Sequence, residues 1–79
     1  MPYQLAEQQN VTIFIYRLNG EQIRSLELGT QPGGEYITKG QAAYWDGRDS
    51  TGQRVGSGIY FYQLQAGKFT ATRRMAILK

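Results

Sequence analysis

The feature that most constrains this fold is a strictly alternating segment followed by a glycine turn. Over residues 11–16, three aliphatic side chains alternate with a threonine and two aromatic side chains, so an extended chain places the two sets on opposite faces. The first face holds Val11, Ile13 and Ile15, and the second holds Thr12, Phe14 and Tyr16. Asn19-Gly20 follows shortly afterwards, and this pair favours a type I′ hairpin turn, in which both central residues take positive φ. The sequence therefore predicts a strand, a hairpin and a returning strand.

The returning strand is expected over residues 22–28. Its apolar residues Ile23 and Leu26 are out of strict alternation, which predicts a β-bulge or an uneven register. Residues 29–34 contain too much glycine and proline for a strand interior, so we expect a loop there. Within that loop, Pro32-Gly33 favours a type II turn.

The rest of the chain repeats this pattern of short strands and turns. Apolar and aromatic positions between Tyr36 and Trp45 predict a strand that ends in a polar turn over residues 46–52. Strict alternation returns over residues 58–65, and a turn at Ala66-Gly67 joins this strand to a last one over residues 68–78. No segment has the apolar spacing of a helix. The sequence predicts an all-β fold, a small immunoglobulin-like antiparallel β-sandwich of about seven short strands.

Length and composition fit one small domain over residues 1–79. Hydrophobic residues make up 41% and charged residues 19%, which is typical of a globular chain. The chain has no cysteine, so it offers no disulfide, and its composition does not fix the compartment. No stretch approaches 18 apolar residues, so we expect no membrane insertion. Because strand-like residues begin almost at once after Met1, we interpret the chain as a module cut from a longer protein.

The charge pattern does not favour nucleic-acid binding. The net charge is +3, and Arg73-Arg74 is the only adjacent basic pair. Nucleic-acid binders usually collect lysine and arginine on one face to neutralise several phosphates. The expected partner is therefore not a nucleic acid.

No residue set for catalysis is evident. The absence of histidine and cysteine removes the commonest general base, thiolate nucleophiles and most zinc ligands. Asp46 and Asp49 could bind a hard cation, but an EF-hand loop starting at Asp46 needs glycine and glutamate where Thr51 and Ser57 stand. Aspartate also stabilises turns by accepting backbone amides, which accounts for both residues. We expect no enzyme activity, no metal site and no cofactor.

Several motifs together resemble a known family. They are Tyr44-Trp45-Asp46-Gly47-Arg48-Asp49, Gly52-Gln53, Val55, Ser57-Gly58-Ile59-Tyr60-Phe61-Tyr62, Leu64, Ala66-Gly67 and Arg73-Arg74-Met75, with Tyr3-Gln4-Leu5, Val11-Thr12-Ile13, Ile15-Tyr16 and Gly33-Gly34 upstream. This pattern resembles the FlgD-like immunoglobulin domain, which is named from the flagellar hook-capping protein and is similar to C-terminal sorting domains of bacterial secreted proteins. The segment 36–43 departs from the usual pattern, because Thr38-Lys39-Gly40-Gln41 interrupts a strand that is commonly smoother.

The resemblance implies a non-catalytic interaction or sorting module at the C-terminus of a bacterial protein that is exported or displayed. It implies an extracellular, cell-surface or periplasmic location. Carried over to this chain, it makes Trp45 a core anchor, with strand packing by Tyr60 and Tyr62. The turn would begin at Asp46, end at Gly52 and include Gly47 and Asp49.

Two partner classes follow from the aromatic residues. If the aliphatic face of residues 11–17 packs in the core, Phe14 and Tyr16 face outward and form a candidate surface for a protein partner or for other domains of the parent protein. The alternative is a carbohydrate-binding module that uses exposed aromatics, which requires an exposed Trp45.

Overall fold

Six antiparallel strands in two layers make up the fold in the computed structural model, which describes residues 1, 3–36 and 45–78. The strands are β1 (Tyr3–Leu5), β2 (Gln9–Arg17), β3 (Gln22–Gln31), β4 (Gly34–Tyr36), β5 (Gly58–Ala66) and β6 (Phe69–Ile77). One layer is a four-stranded sheet in the order β3-β2-β5-β6, and the other pairs β1 with β4. The predicted all-β sandwich is confirmed, with no helix in the described ranges. The strand expected between Tyr36 and Trp45 falls largely on residues 37–44, which lie outside the described residues.

The core lies between the two layers and follows the predicted alternation. Val11, Ile13 and Ile15 on β2 are fully buried, at 0% exposure. The alternate residues of β5 pack beside them, and β1 closes the core from the second layer with Tyr3 and Leu5. The contributing β5 residues are Tyr60, Tyr62, Leu64 and Ala66. Each large apolar side chain buried in this way stabilises the fold by about 1.5–3 kcal/mol.

The first hairpin forms where predicted, but its turn is of another type. The Gly20 amide donates to the Arg17 carbonyl oxygen at 2.9 Å, and Gly20 has φ of +90°. Asn19 is not at positive φ, so the type I′ prediction is wrong. The geometry is that of a type I turn followed by a left-handed glycine bulge. Asn19 Oδ1 instead accepts the Glu21 amide at 2.9 Å, which stabilises the three-residue loop.

The β3 strand is longer and more irregular than its neighbours. Its pairing with β2 shifts register twice, so that Ile23 and Leu28 are extra residues without a direct partner. The predicted uneven register is confirmed. The strand continues to Gln31, so the predicted loop over residues 29–34 shrinks to Pro32 and Gly33. Gly33 is not at positive φ, so the predicted type II turn does not form.

Gly33 has a steric role. A Cβ atom there would lie 3.0 Å from the Glu7 Cα atom and 3.3 Å from the Ala6 carbonyl oxygen, so glycine permits this close approach of two backbone segments.

The last hairpin joins β5 to β6 through Gly67 and Lys68. Gly67 has φ of +61° at the first central position, as a type II′ turn requires. From Ala66↔Phe69 to Gly58↔Ile77, nine consecutive residue pairs stay in one register. The predicted second hairpin is confirmed, and it places β6 at the end of the four-stranded sheet.

Candidate interaction surface

Phe14 and Tyr16 lie on the outer face of the four-stranded sheet, the face opposite the core. Both side chains are half-buried. The β2–β5 register places Phe61 directly opposite Tyr16 and Gln63 directly opposite Phe14. Phe14 and Phe61 are therefore diagonal neighbours, within reach of each other on one sheet face. We call Phe14, Tyr16 and Phe61 the aromatic row.

Phe61 is a member of this row that the sequence analysis did not select. It is half-buried and alternates with the buried residues Tyr60 and Tyr62. The same alternation that placed Phe14 outside the core could have placed Phe61 there too. The β2–β5 register cannot be predicted from the sequence alone. This register places Phe61 directly opposite Tyr16.

The aromatic row borders a polar and basic margin. On β6, Arg74 is the cross-strand partner of Phe61, and Ala76 is the partner of Ile59, which is 39% exposed. Thr72 faces Gln63 in the same way. An apolar centre with a polar rim is the usual anatomy of a protein interface.

Trp45 lies at one end of the sandwich and is half-buried. Its ring meets that of Tyr60 edge-on, with centroids 6.0 Å apart and an interplanar angle of 69°. Its Nε1 atom donates to the Arg48 carbonyl oxygen at 2.9 Å. The indole packs against the edge of the core and is fixed by one polar contact.

The turn after Trp45 is organised by two aspartates. Asp46 Oδ1 accepts the Arg48 amide at 3.0 Å and the Arg24 guanidinium at 3.1 Å. Asp49 Oδ1 accepts the Thr51 hydroxyl at 2.6 Å, and the amides of Thr51 and Gln53 at 3.0 Å each. Both carboxylates are thus bound by hydrogen-bond donors of their own chain, as turn-forming aspartates are.

These contacts change the acidity of Asp49. The hydrogen bond from the Thr51 hydroxyl has the largest effect on the pKa of Asp49, and the amides of Gln53 and Thr51 add to it. Together they hold the pKa below its usual value of 3.8, although desolvation opposes the change. The carboxylate is therefore favoured in its charged form, which is the form that accepts these bonds.

The remaining predicted structural residues surround the same turn. Gly47 and Gly52 have φ of +75° and +89°, a conformation that other residues adopt with strain. The Tyr60 hydroxyl donates to the Gly56 carbonyl oxygen at 2.7 Å, and Tyr62 is buried in the core. Within residues 3–36 and 45–78, no group of three or more acidic side chains is placed to hold a metal ion.

This turn also folds over the edge of β3. The Ser50 amide donates to the Ile23 carbonyl oxygen at 2.9 Å. Arg24 of β3 reaches the Arg48 carbonyl oxygen at 2.9 Å as well as Asp46. Residues 45–55, which we call the capping loop, therefore occupy backbone positions that a further strand would need.

Comparison with known families agrees with this architecture. A family model described as the FlgD Ig-like domain matches residues 2–69. The chain belongs to the FlgD Ig-like domain family. Members of this family are non-enzymatic structural or interaction domains, related to the flagellar hook-capping protein. The match spans the aromatic row and the capping loop, and it ends at the first residue of β6.

No curated protein and no solved structure matches this FlgD Ig-like domain. In the part of the chain that the structure describes, no helix is long and apolar enough to cross a membrane.

Proposed function

We propose that this FlgD Ig-like domain is a non-catalytic interaction module of a bacterial protein that is exported or displayed at the cell surface. The observation that carries the proposal is the aromatic row, which places Phe14, Tyr16 and Phe61 together on the sheet face turned away from the core. The family supports an exported protein, because it is related to flagellar hook assembly. Residues 1–79 would be one domain of that protein, serving as its adaptor or sorting element.

A partner that covers the aromatic row would bury a large apolar area. Aromatic side chains bury large apolar areas while losing few rotatable bonds, so they dominate the energetics of interfaces. Phe14 and Phe61 are already partly held by their neighbours on the sheet, which lowers the entropy lost when a partner covers them. The polar residues beside them would exclude water at the rim.

We do not propose the carbohydrate-binding alternative. That function needs an open aromatic ring on which a sugar could stack, and Trp45 was its platform. The Trp45 ring instead packs against Tyr60 and the core, and its nitrogen donates to the chain itself. No observation favours another sugar platform over a protein contact.

The experiment is site-specific photocrosslinking in the full-length protein, in the cells that express it. A photoreactive phenylalanine analogue replaces Phe14 or Phe61 and, as a control, Thr51 in the capping loop. We expect discrete crosslinked products from positions 14 and 61 that Thr51 does not give. A Phe61→Lys substitution should abolish the product formed from position 14 while the protein remains folded. Equal products from all three positions, or none from the aromatic row, would overturn the proposed surface.

The proposed location is tested separately. Removing this domain from the full-length protein, then fractionating the cells, distinguishes a sorting element from an adaptor. Retention inside the cell supports the sorting role, and correct export with loss of the crosslinked partner supports the adaptor role. A protein that stays cytoplasmic with or without the domain would contradict the exported location.

A further inference from the structure

The β6 strand forms an edge of the four-stranded sheet. In the described ranges β5 pairs with it on one side, and no strand pairs with it on the other. Its register with β5 is unbroken over nine pairs, whereas β3 at the opposite edge shifts register twice. Bulges and covering loops are two of the devices by which proteins protect sheet edges from further pairing; charged side chains are another. Over residues 69–77, β6 has no register shift with β5, and no backbone hydrogen bond joins it to a loop of the described residues.

The pleat determines which backbone groups of β6 face outward. A two-residue hairpin loop is closed by a hydrogen-bonded pair, here Ala66 and Phe69, and such pairs recur at every second position. The intervening residues direct their amide and carbonyl groups away from β5. They are Thr70, Thr72, Arg74 and Ala76. The Thr72 carbonyl oxygen accepts a long bond of 3.3 Å from the Arg73 guanidinium, as an outward-facing carbonyl can.

Charge is distributed unevenly along the chain. All six acidic residues lie before residue 50, whereas five of the nine basic residues lie after it. These five are Arg54, Lys68, Arg73, Arg74 and Lys79. The ion pairs in the described ranges are Arg17–Glu21 and Arg24–Asp46, both in the first part of the chain. Among the described residues, Arg73 and Arg74 therefore stand on an edge strand without an ion-pair partner.

A recess lies beside β6 on the inner side of the sheet. It has a volume of about 190 Å³ and is lined by Tyr3, Leu64, Phe69, Ala71 and Arg73 among others. A larger recess of about 400 Å³ adjoins it, between Leu5 on the second layer and Phe69. Phe69 is 57% exposed, although it lies on the core side of the sheet. Side chains from a strand beside β6 could enter this space.

We propose that β6 is a docking edge for an extended segment of another protein that carries two adjacent acidic residues. Successive residues of a strand point to opposite faces, so Arg73 faces the recess and Arg74 faces the outer side. A strand paired with β6 places one side chain opposite each arginine, and two adjacent acids satisfy both. Apolar residues at alternate positions would enter the recess near Phe69 and Ala71.

A second copy of this chain is a poor occupant for the same edge. The antiparallel pairing of two β6 strands would bring their arginines together with no acid on either strand, and like charges across a strand pair are destabilising. The docking edge rests on the proposed role as an interaction module, but it is a different surface from the aromatic row.

The experiment titrates the 79-residue chain with a synthetic nine-residue peptide, using NMR and calorimetry. The peptide has Glu-Glu near its centre and alternating valine and threonine on both sides, and the control peptide has Lys-Lys instead. We expect chemical-shift changes concentrated at the amides of Thr70, Thr72, Arg74 and Ala76. We also expect affinity that falls as salt is added, and at least tenfold weaker binding of the Lys-Lys peptide.

Matched variants separate charge from backbone pairing. Arg73→Glu combined with Arg74→Glu should weaken binding at least tenfold, whereas Arg54→Glu, a single charge reversal in the capping loop, should change it less than twofold. Thr72→Pro removes an outward-facing amide and leaves the β5 ladder intact, so it should abolish binding in a domain that still folds. Its folding is checked by circular dichroism.

The following results would contradict the docking edge. Equal binding of the two peptides, or unchanged binding in the Arg73 and Arg74 variant, would exclude the charge requirement. Tighter binding of single-stranded oligothymidine that Thr72→Pro does not affect would indicate a polyanion surface instead. A dimer in sedimentation that Thr72→Pro disrupts would indicate self-pairing. Because Phe61→Lys leaves β6 intact, it should abolish the photocrosslink from position 14 without changing peptide binding. If the native aromatic row gave no photocrosslinks and peptide binding were retained, the aromatic row alone would be refuted.

Discussion

At the β3 edge the chain covers its own backbone near Ile23, whereas at the β6 edge nine paired residues run without a register shift and without a covering loop among the described residues. The β3 edge is shifted in register at two points, and the capping loop binds it through Ser50 and Arg24. The β6 edge carries Arg73 and Arg74 instead. Both edges therefore discourage indiscriminate pairing, but by different means.

The difference has a functional consequence. A bulged and partly covered edge resists further pairing, because the register shifts displace some of its backbone groups and the Ile23 carbonyl oxygen is already bonded. A straight edge that carries positive charges disfavours strands with positive charges of their own. A strand with negative charges can pair with it, because the opposite charges attract each other. The β3 edge is thus protected by its shape and its cover, whereas the docking edge proposed for β6 would admit a strand of complementary charge.

The largest expected effect comes from the core that both edges share. Ile13→Ala removes a fully buried side chain from β2 and should cost about 2–5 kcal/mol in the free energy of unfolding, measured by urea denaturation. Hydrogen exchange should increase at both edges together. The exposed Thr30→Ala substitution on β3 is the control and should change stability by less than about 0.5 kcal/mol. Faster exchange at one edge alone would show that the edges are not supported by a common core.

The next effect distinguishes the two sides of β6. Arg73→Pro removes an amide that bonds to β5, leaving its acceptor unpaired, and should cost about 1–3 kcal/mol. Thr72→Pro removes an outward amide and should cost less than about 1 kcal/mol, since proline is tolerated in edge strands where the amide faces solvent. Thermal denaturation measures both variants. If Thr72→Pro lowered the stability more than Arg73→Pro, the amide that bonds to β5 would be that of Thr72 and the outward amide that of Arg73.

A smaller effect tests the cover over β3. Trp45→Phe keeps an aromatic ring beside Tyr60 but removes the hydrogen bond to the Arg48 carbonyl, which should cost about 1 kcal/mol. The Ser50 amide should then exchange faster, while the amides of β6 stay unchanged. Unaltered exchange at Ser50 would mean that the indole does not help to hold the capping loop on β3.

The smallest effect concerns pH. Because the folded-state pKa of Asp49 is lowered, its stabilising contribution is present above its usual value of 3.8 and is lost as pH falls through the folded-state pKa. The melting temperature should therefore decline more between about pH 5 and about pH 2 in the native chain than in Asp49→Asn. Parallel declines in the two proteins would argue against this role of the carboxylate.

The parts of the fold that were predictable are those where one local signal decides. The alternation in β2 was enough to place Ile13 and Phe14 on opposite faces of the sheet, because the period of two is a property of any strand. Turn type was not predictable in the same way. Asn-Gly fits a two-residue loop, but the hairpin uses three residues and needs positive φ at Gly20 alone.

The extent of β3 and the aromatic row depend on interactions distant in sequence. Gly29 sits inside β3 with φ of +73°, because a register shift accommodates it next to β2. Phe61 joins Tyr16 only through the pairing of β2 with β5, which connects residues far apart in the chain. Neither the continuation of β3 through Gly29 nor the pairing of Phe61 with Tyr16 leaves a local signal, so neither could be predicted from the residues nearby.

The most direct test of the contrast between the two edges is residue-resolved amide hydrogen exchange of the free domain by NMR. The amides of Thr70, Thr72, Arg74 and Ala76 should exchange almost as fast as in an unstructured peptide, while those of Ala71, Arg73 and Ser50 should be protected. Protection at Thr72 and Arg74 in the free domain, matching that at Arg73, would contradict an open β6 edge.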